Sequence, residues 1–101
     1  MATTAAPTSA AVKRMCGSRI CVATAYQGTR YVQDITVFTR GGLPGTLRAF
    51  AGSYRQSRAN DDRHVFIVNQ EIGEPGSCQP AICGGLDRSG GVIENHCVLI
   101  H

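Results

Sequence analysis

The sequence predicts an α+β domain, in which one helix packs on a small antiparallel sheet of four or five strands and disulfides staple the whole. Three observations support this fold class: several segments rich in Val, Ile, Thr, Tyr and Phe, one segment with helical periodicity, and five cysteines among only 101 residues. A chain of this length holds one domain with a limited core, so a covalent or metal staple is expected. An all-β sandwich is the alternative, because a single segment decides between the two classes.

Four segments are predicted to be strands. Residues 20–26 and 30–40 are rich in β-branched and aromatic side chains, and a tight turn near Gln27-Gly28 joins them. Residues 63–71 contain the uninterrupted apolar run VFIV, which is typical of a strand buried on both faces. Residues 90–101 form the last predicted strand.

The helix is predicted over residues 46–59, with Thr46 as its N-cap. The apolar residues of this segment recur at the i, i+3, i+4 and i+7 positions that share one stripe of a helix: Leu47, Phe50, Ala51 and Tyr54. Three arginines flank that stripe and are predicted to form a binding edge: Arg48, Arg55 and Arg58. Ordinary solvation of these arginines is the simpler alternative.

The first 14 residues are predicted to be a disordered propeptide, and residues 15–101 a single cysteine-stapled domain. Residues 1–12 consist mainly of Ala, Thr, Ser and Pro, which cannot bury enough surface to offset the entropy of ordering. The dibasic pair Lys13-Arg14 follows, just before the first cysteine. This layout resembles the propeptide boundary of fungal secreted proteins, where a kexin-type protease cuts after Lys-Arg. The resemblance implies secretion and cleavage after Arg14; an incidental dibasic pair is the alternative.

The cysteines are predicted to form a disulfide framework, since a secretory context favours oxidation. The five are Cys16, Cys21, Cys78, Cys83 and Cys97, so at most two bridges form. Bridges from the N-terminal pair to the C-terminal group would close the longest loops, which favours that pairing. Cys97 would then be the candidate for a buried free thiol.

A cytosolic, zinc-stapled domain is the alternative interpretation of the same cysteines. The first four could supply four thiolates to a tetrahedral zinc ion, with His96 or Cys97 in reserve. Each pair has four intervening residues, however, which lies at the edge of the usual spacing for structural zinc. The main interpretation therefore includes no metal and no cofactor.

Two short motifs suggest an enzymatic alternative. The stretches DRHVF (62–66) and GGVIENH (90–96) resemble strands of the guanyl-specific fungal ribonucleases. The resemblance implies a phosphate-binding role for Arg63 and a general-acid role for His96, one position later than in the family. It departs from the family in lacking a glutamate before Arg63. Glu71, the first glutamate of the chain, is the remaining candidate for the second protonatable group.

Charge and hydropathy favour binding to a protein over binding to nucleic acid or insertion into a membrane. From Met15 onward eight arginines are scattered among seven acidic residues, so no concentrated basic field exists. No apolar run approaches the roughly 20 residues of a membrane helix. The chain is similar in outline to secreted fungal effectors and killer toxins, which implies non-enzymatic binding to a host or competitor protein. The predicted contact surface combines the three arginines with the loop 74–85, including Glu74 and Gln79.

Overall fold

The computed structural model describes residues 11–28, 30–40, 44–59, 62–72 and 81–100. These ranges contain eight β-strands in two four-stranded antiparallel sheets, and no helix. The strands are β1 (Ala11–Cys16), β2 (Ile20–Gln27), β3 (Tyr31–Thr39), β4 (Thr46–Ala51), β5 (Tyr54–Ala59), β6 (Arg63–Glu71), β7 (Ala81–Arg88) and β8 (Gly91–Leu99).

The two sheets pack face to face around one core. The first sheet has the strand order β1-β2-β3-β6, and the second has the order β5-β4-β7-β8. Alternate side chains of β2 and β4 turn inward, as the two-residue period of a strand requires. The largest fully buried residues come from both sheets: Ile20, Ile35, Leu47, Ile82, Leu86 and Ile100.

The prediction of an α+β fold is wrong, and the all-β alternative is correct. Residues 46–59 form the β4–β5 hairpin, in which Ala51 pairs with Tyr54 across Gly52-Ser53. Gly52 has a φ of 58°, a left-handed conformation that suits a tight turn and interrupts a helix. The inward side chains of β4 are Leu47, Ala49 and Ala51. Because two of them are alanines, the alternation was less visible in the sequence than the accidental helical stripe.

The strands predicted at residues 20–26, 30–40, 63–71 and 90–101 correspond to β2, β3, β6 and β8. β6 lies at a sheet edge, however, and exposes Val65 and Ile67 where burial on both faces was expected. β7 was not predicted because it carries two glycines. A Cβ on Gly84 would lie 2.7 Å from methyl groups of Val22 and Val37 in the facing sheet, so a larger side chain at this position would force these residues to shift.

The predicted disulfide pairing is also wrong. Cys16 bonds to Cys21 within the β1–β2 hairpin, and Cys83 bonds to Cys97 across β7 and β8. Cys97 is therefore not a free thiol. Strand register explains the result, since both bridges join directly opposed residues whose Cα atoms are 4.0 Å apart. Cys78 lies outside the described residues.

Candidate binding surfaces

The outer face of the second sheet brings together two of the predicted binding residues and an aromatic ring. In β4, Arg48 and Phe50 alternate with the buried side chains and therefore point away from the core. The β4–β5 register places Arg55 directly opposite Phe50. We call this group the Arg48–Phe50–Arg55 cluster. With Gln56 and Ser57 it lines a shallow depression of about 270 Å³.

Arg48 is fixed in place by a network across three strands. Its Nε donates to Asp87 Oδ2 at 3.0 Å, and its Nη2 donates to Asp87 Oδ1 and to Asn95 Oδ1, both at 3.1 Å. Gly85 lies beneath the guanidinium, where an added Cβ would meet Nη2 at 2.8 Å. A bidentate pair of this kind holds the side chain in one orientation and balances its charge.

Phe50 lies near both guanidinium groups of the cluster. The Arg48 Cζ lies 4.9 Å from the ring centroid and the Arg55 Cζ lies 5.8 Å from it, within the range of cation–π attraction. Arg55 is exposed and makes no salt bridge within the ranges that the structure describes. The cluster therefore presents one charge that is already paired and one that is available to a partner.

The other predicted contact residues do not join this cluster in the described part of the chain. Arg58 is also exposed on β5, but it pairs with the inward-pointing Leu47. Its side chain therefore leaves the opposite face of the sheet from Arg48 and Arg55. Glu74 and Gln79 lie outside the described residues. Residues 81–85 of the predicted loop form the first half of β7 instead, with Ile82 and Gly84 buried.

The residues of the ribonuclease-like alternative are not brought together. Arg63 and Glu71 stand at opposite ends of β6, a separation of about 26 Å along an extended strand. Glu71 forms a 3.2 Å ion pair with Arg30, and its side chain is 63% exposed. His96 belongs to β8 of the other sheet.

His96 and Glu94 form a half-buried pair that the sequence did not single out as a unit. Glu94 accepts hydrogen bonds from Ser18 Oγ at 3.0 Å, Arg19 N at 3.0 Å and Ile20 N at 2.9 Å, and so ties β8 to the β1–β2 turn. The Nε2 of His96 lies 3.0 Å from Glu94 Oε2, which makes an ion pair when the imidazole is protonated. It has no hydrogen-bond partner of good geometry among the described residues.

Burial alone would raise the pKa of Glu94, but its polar neighbours reverse that effect. The backbone N–H groups of Ile20 and Arg19, with His96 and Ser18, favour the carboxylate and lower the pKa to about 2. The three hydrogen bonds from Ser18, Arg19 and Ile20 bind the carboxylate to the β1–β2 turn. The arrangement therefore fits a structural clasp, which holds the turn, better than a proton donor.

The zinc alternative would need two cysteine pairs that meet. The Cys16–Cys21 bridge lies on the outward-pointing positions of the first sheet, and the Cys83–Cys97 bridge lies on those of the second. The sandwich core separates them. No group of three potential metal ligands occurs among the residues described here.

The outer face of the first sheet is a concave and partly apolar surface. Ala23 and Ala25 supply small side chains to its floor, and Arg14 and Arg63 stand on opposite sides of a depression of about 630 Å³. Asp34 also lines it; burial raises the pKa of this carboxyl group, and a hydrogen bond from the Ala25 backbone partly offsets the rise. The surface thus combines apolar area with charges of both signs.

The predicted propeptide boundary lies within β1. Lys13 pairs with Thr24 and Arg14 pairs with Ala23, so the dibasic bond belongs to an edge strand where disorder up to residue 14 was expected. Residues 1–10 lie outside the described residues. Whether the chain is cut after Arg14 stays a prediction.

Comparisons with protein families, with curated proteins and with solved structures gave no match for this chain. The described residues include no helix that is long and apolar enough to cross a membrane. The two disulfides are compatible with an oxidising, extracellular environment.

Proposed function

We propose that this chain is a secreted effector-like or toxin-like protein, processed after Arg14, that binds a host or competitor protein through the Arg48–Phe50–Arg55 cluster. One observation carries the proposal: an exposed arginine and an aromatic ring share a rigid sheet face, next to a second arginine that is locked by Asp87 and Asn95. Arginine and aromatic side chains, including phenylalanine, are enriched at protein interfaces, and arginine is among the residue types that most often dominate binding energy there.

The chemistry of the cluster defines the partner surface that it fits. Arg55 offers a planar guanidinium with several donors, which suits a carboxylate of the partner. Phe50 offers an apolar ring beside it. Because strand pairing and the Arg48 network already fix the backbone and one side chain, binding would require little further ordering of this face. The expected partner surface carries an acidic residue next to an apolar side chain.

Site-specific cross-linking tests the proposal and captures the partner in the same step. A photoreactive amino acid at Ser57, beside the cluster, is introduced into the full chain, which is then exposed to extracellular extract of a candidate host or competitor. We expect one saturable cross-linked product that unlabelled wild-type protein displaces. An Arg55→Ala competitor should need at least about tenfold higher concentration for the same displacement.

An Arg63→Ala competitor is the matched control, since Arg63 is an exposed arginine on β6 of the other sheet. It should compete as well as the wild-type protein. Equal competition by Arg55→Ala would contradict the proposal, and so would a cross-linked product that no competitor displaces. Urea denaturation of both variants verifies that neither substitution unfolds the domain.

A further inference from the structure

The two ends of β1 are held in different ways. At its C-terminal end, Cys16 is bonded to Cys21 and the adjoining turn is bound by Glu94. The N-terminal part, Ala11–Arg14, has mostly exposed side chains, and Val12 is 68% exposed. We call this part the β1 arm. It contacts the second sheet through a 2.9 Å hydrogen bond that Lys13 Nζ donates to Leu99 O.

The register shows which backbone groups of β2 depend on the β1 arm. The N–H of Gly17 donates to Ile20 O at 2.9 Å and closes the hairpin turn. The next pair, Cys16 and Cys21, has Cα atoms 4.0 Å apart, the short spacing of a pair that exchanges no backbone hydrogen bonds. Because the two kinds of pair alternate, the hydrogen-bonded pairs are Met15–Val22, Lys13–Thr24 and Ala11–Tyr26.

Cleavage after Arg14 would therefore divide the strand between the part next to the disulfide and the β1 arm. Val22 would keep its partner, because Met15 adjoins the disulfide-bonded Cys16. Thr24 and Tyr26 would lose the backbone groups of Lys13 and Ala11. The Thr24 side chain is already satisfied by Asp34 O at 2.9 Å, so only backbone donors and acceptors would become available.

We propose that cleavage after Arg14 releases the β1 arm and opens the edge of β2 to an extended strand of a partner protein. The inference rests on the proposed processing after Arg14. An unpaired strand edge is a template for strand addition, and the seated β1 arm shows that this edge accepts an antiparallel segment. The outward positions of such a segment would lie beside Ala23 and Ala25, which leave room for large side chains.

The test begins with the folded full chain and a purified kexin-type protease. Hydrogen exchange is measured residue by residue by NMR before and after the cut. We expect amide exchange at Thr24 and Tyr26 to accelerate about tenfold or more, while Val22 stays as protected as before. An Arg14→Gln chain, treated identically, should remain uncut and unchanged.

A synthetic peptide with the sequence of residues 10–14 serves as the probe for strand addition. Labelled with a fluorophore, it should bind the cleaved protein and not the uncleaved one. A Lys13→Pro probe should fail to bind, because proline removes the N–H that pairs with Thr24. A Val12→Pro probe should still bind, because the N–H of that position points away from β2.

Three results would overturn the inference. Unchanged exchange at Thr24 and Tyr26 after cleavage would show that the arm stays seated. Accelerated exchange at Val22 as well would show general destabilisation. Resistance of the folded chain to the protease would show that the bond after Arg14 is not accessible. Each result is distinct from a failure of the Arg55 cross-linking experiment, since the cut is imposed on purified protein.

Discussion

The β1–β2 hairpin contains two regions that share a strand but differ in how they are fixed. The turn end is bound by a disulfide and by three hydrogen bonds to the Glu94 carboxylate. The β1 arm is held by backbone pairing and by the bond from Lys13 to Leu99. Both regions share the same ladder pairing, so the difference between them lies in the disulfide and in the half-buried Glu94 carboxylate. From this difference we expect the β1 arm to open more readily than the turn end.

The largest expected effect is on the turn end. We expect Glu94→Ala to lower the free energy of unfolding by about 2–3 kcal/mol, because it leaves the N–H groups of Arg19 and the buried Ile20 without their acceptor. Urea denaturation monitored by circular dichroism measures this change. Glu71→Ala is the matched control, and its exposed ion pair with Arg30 should contribute less than about 1 kcal/mol.

Equal losses in the two variants would contradict the assignment of Glu94 as a clasp of the turn. The comparison is sharpened by hydrogen exchange. In Glu94→Ala the amides of the β1–β2 turn should exchange faster while those of the second sheet are still protected, because the substitution removes the contact between the turn and β8.

Acid should weaken the same end of the hairpin. The folded-state pKa of Glu94 is about 2, below the ordinary value of 4.5, so its contribution is present above pH 4.5 and is lost as the pH falls towards 2. We expect the wild-type protein to lose stability over that range, and Glu94→Gln to lose less of it. Thermal denaturation at a series of pH values measures both. Parallel curves for the two proteins would exclude Glu94 as the source.

Several elements could be predicted from the sequence, and each had a local cause. β2 and β3 contain β-branched and aromatic residues in strand-length runs with glycines nearby on both sides, and β8 contains Val and Ile after a pair of glycines. The β4–β5 hairpin was missed for the opposite reason. Its buried positions are partly alanine, and β5 has only polar side chains between Tyr54 and Ala59. The hairpin is defined by the pairing of β4 with β5, which the hydrophobic pattern of the segment does not reveal.

The residues of the candidate sites also differ in how far the sequence predicted their positions. The helical flank predicted to carry Arg48 and Arg55 does not exist; strand register places both arginines beside Phe50 instead, and their role in binding stays a prediction. The role of Glu94 was not predictable, because its three donors lie at least 74 positions away in the sequence. Contacts of that range depend on how the two sheets are stacked, which no local pattern encodes.

The smallest expected effect concerns the β1 arm. We expect Lys13→Met to change the free energy of unfolding by less than about 1 kcal/mol, since methionine keeps most of the aliphatic stem and the lost hydrogen bond lies at an exposed site. The amides of Thr24 and Tyr26 should nevertheless exchange faster, because the arm opens more often. Urea denaturation and hydrogen exchange on the same samples separate the two effects. A large loss in the free energy of unfolding, without selectively faster exchange at these amides, would mean that the arm is integral to the fold. Removing the arm by proteolysis would then unfold the sandwich instead of opening its edge.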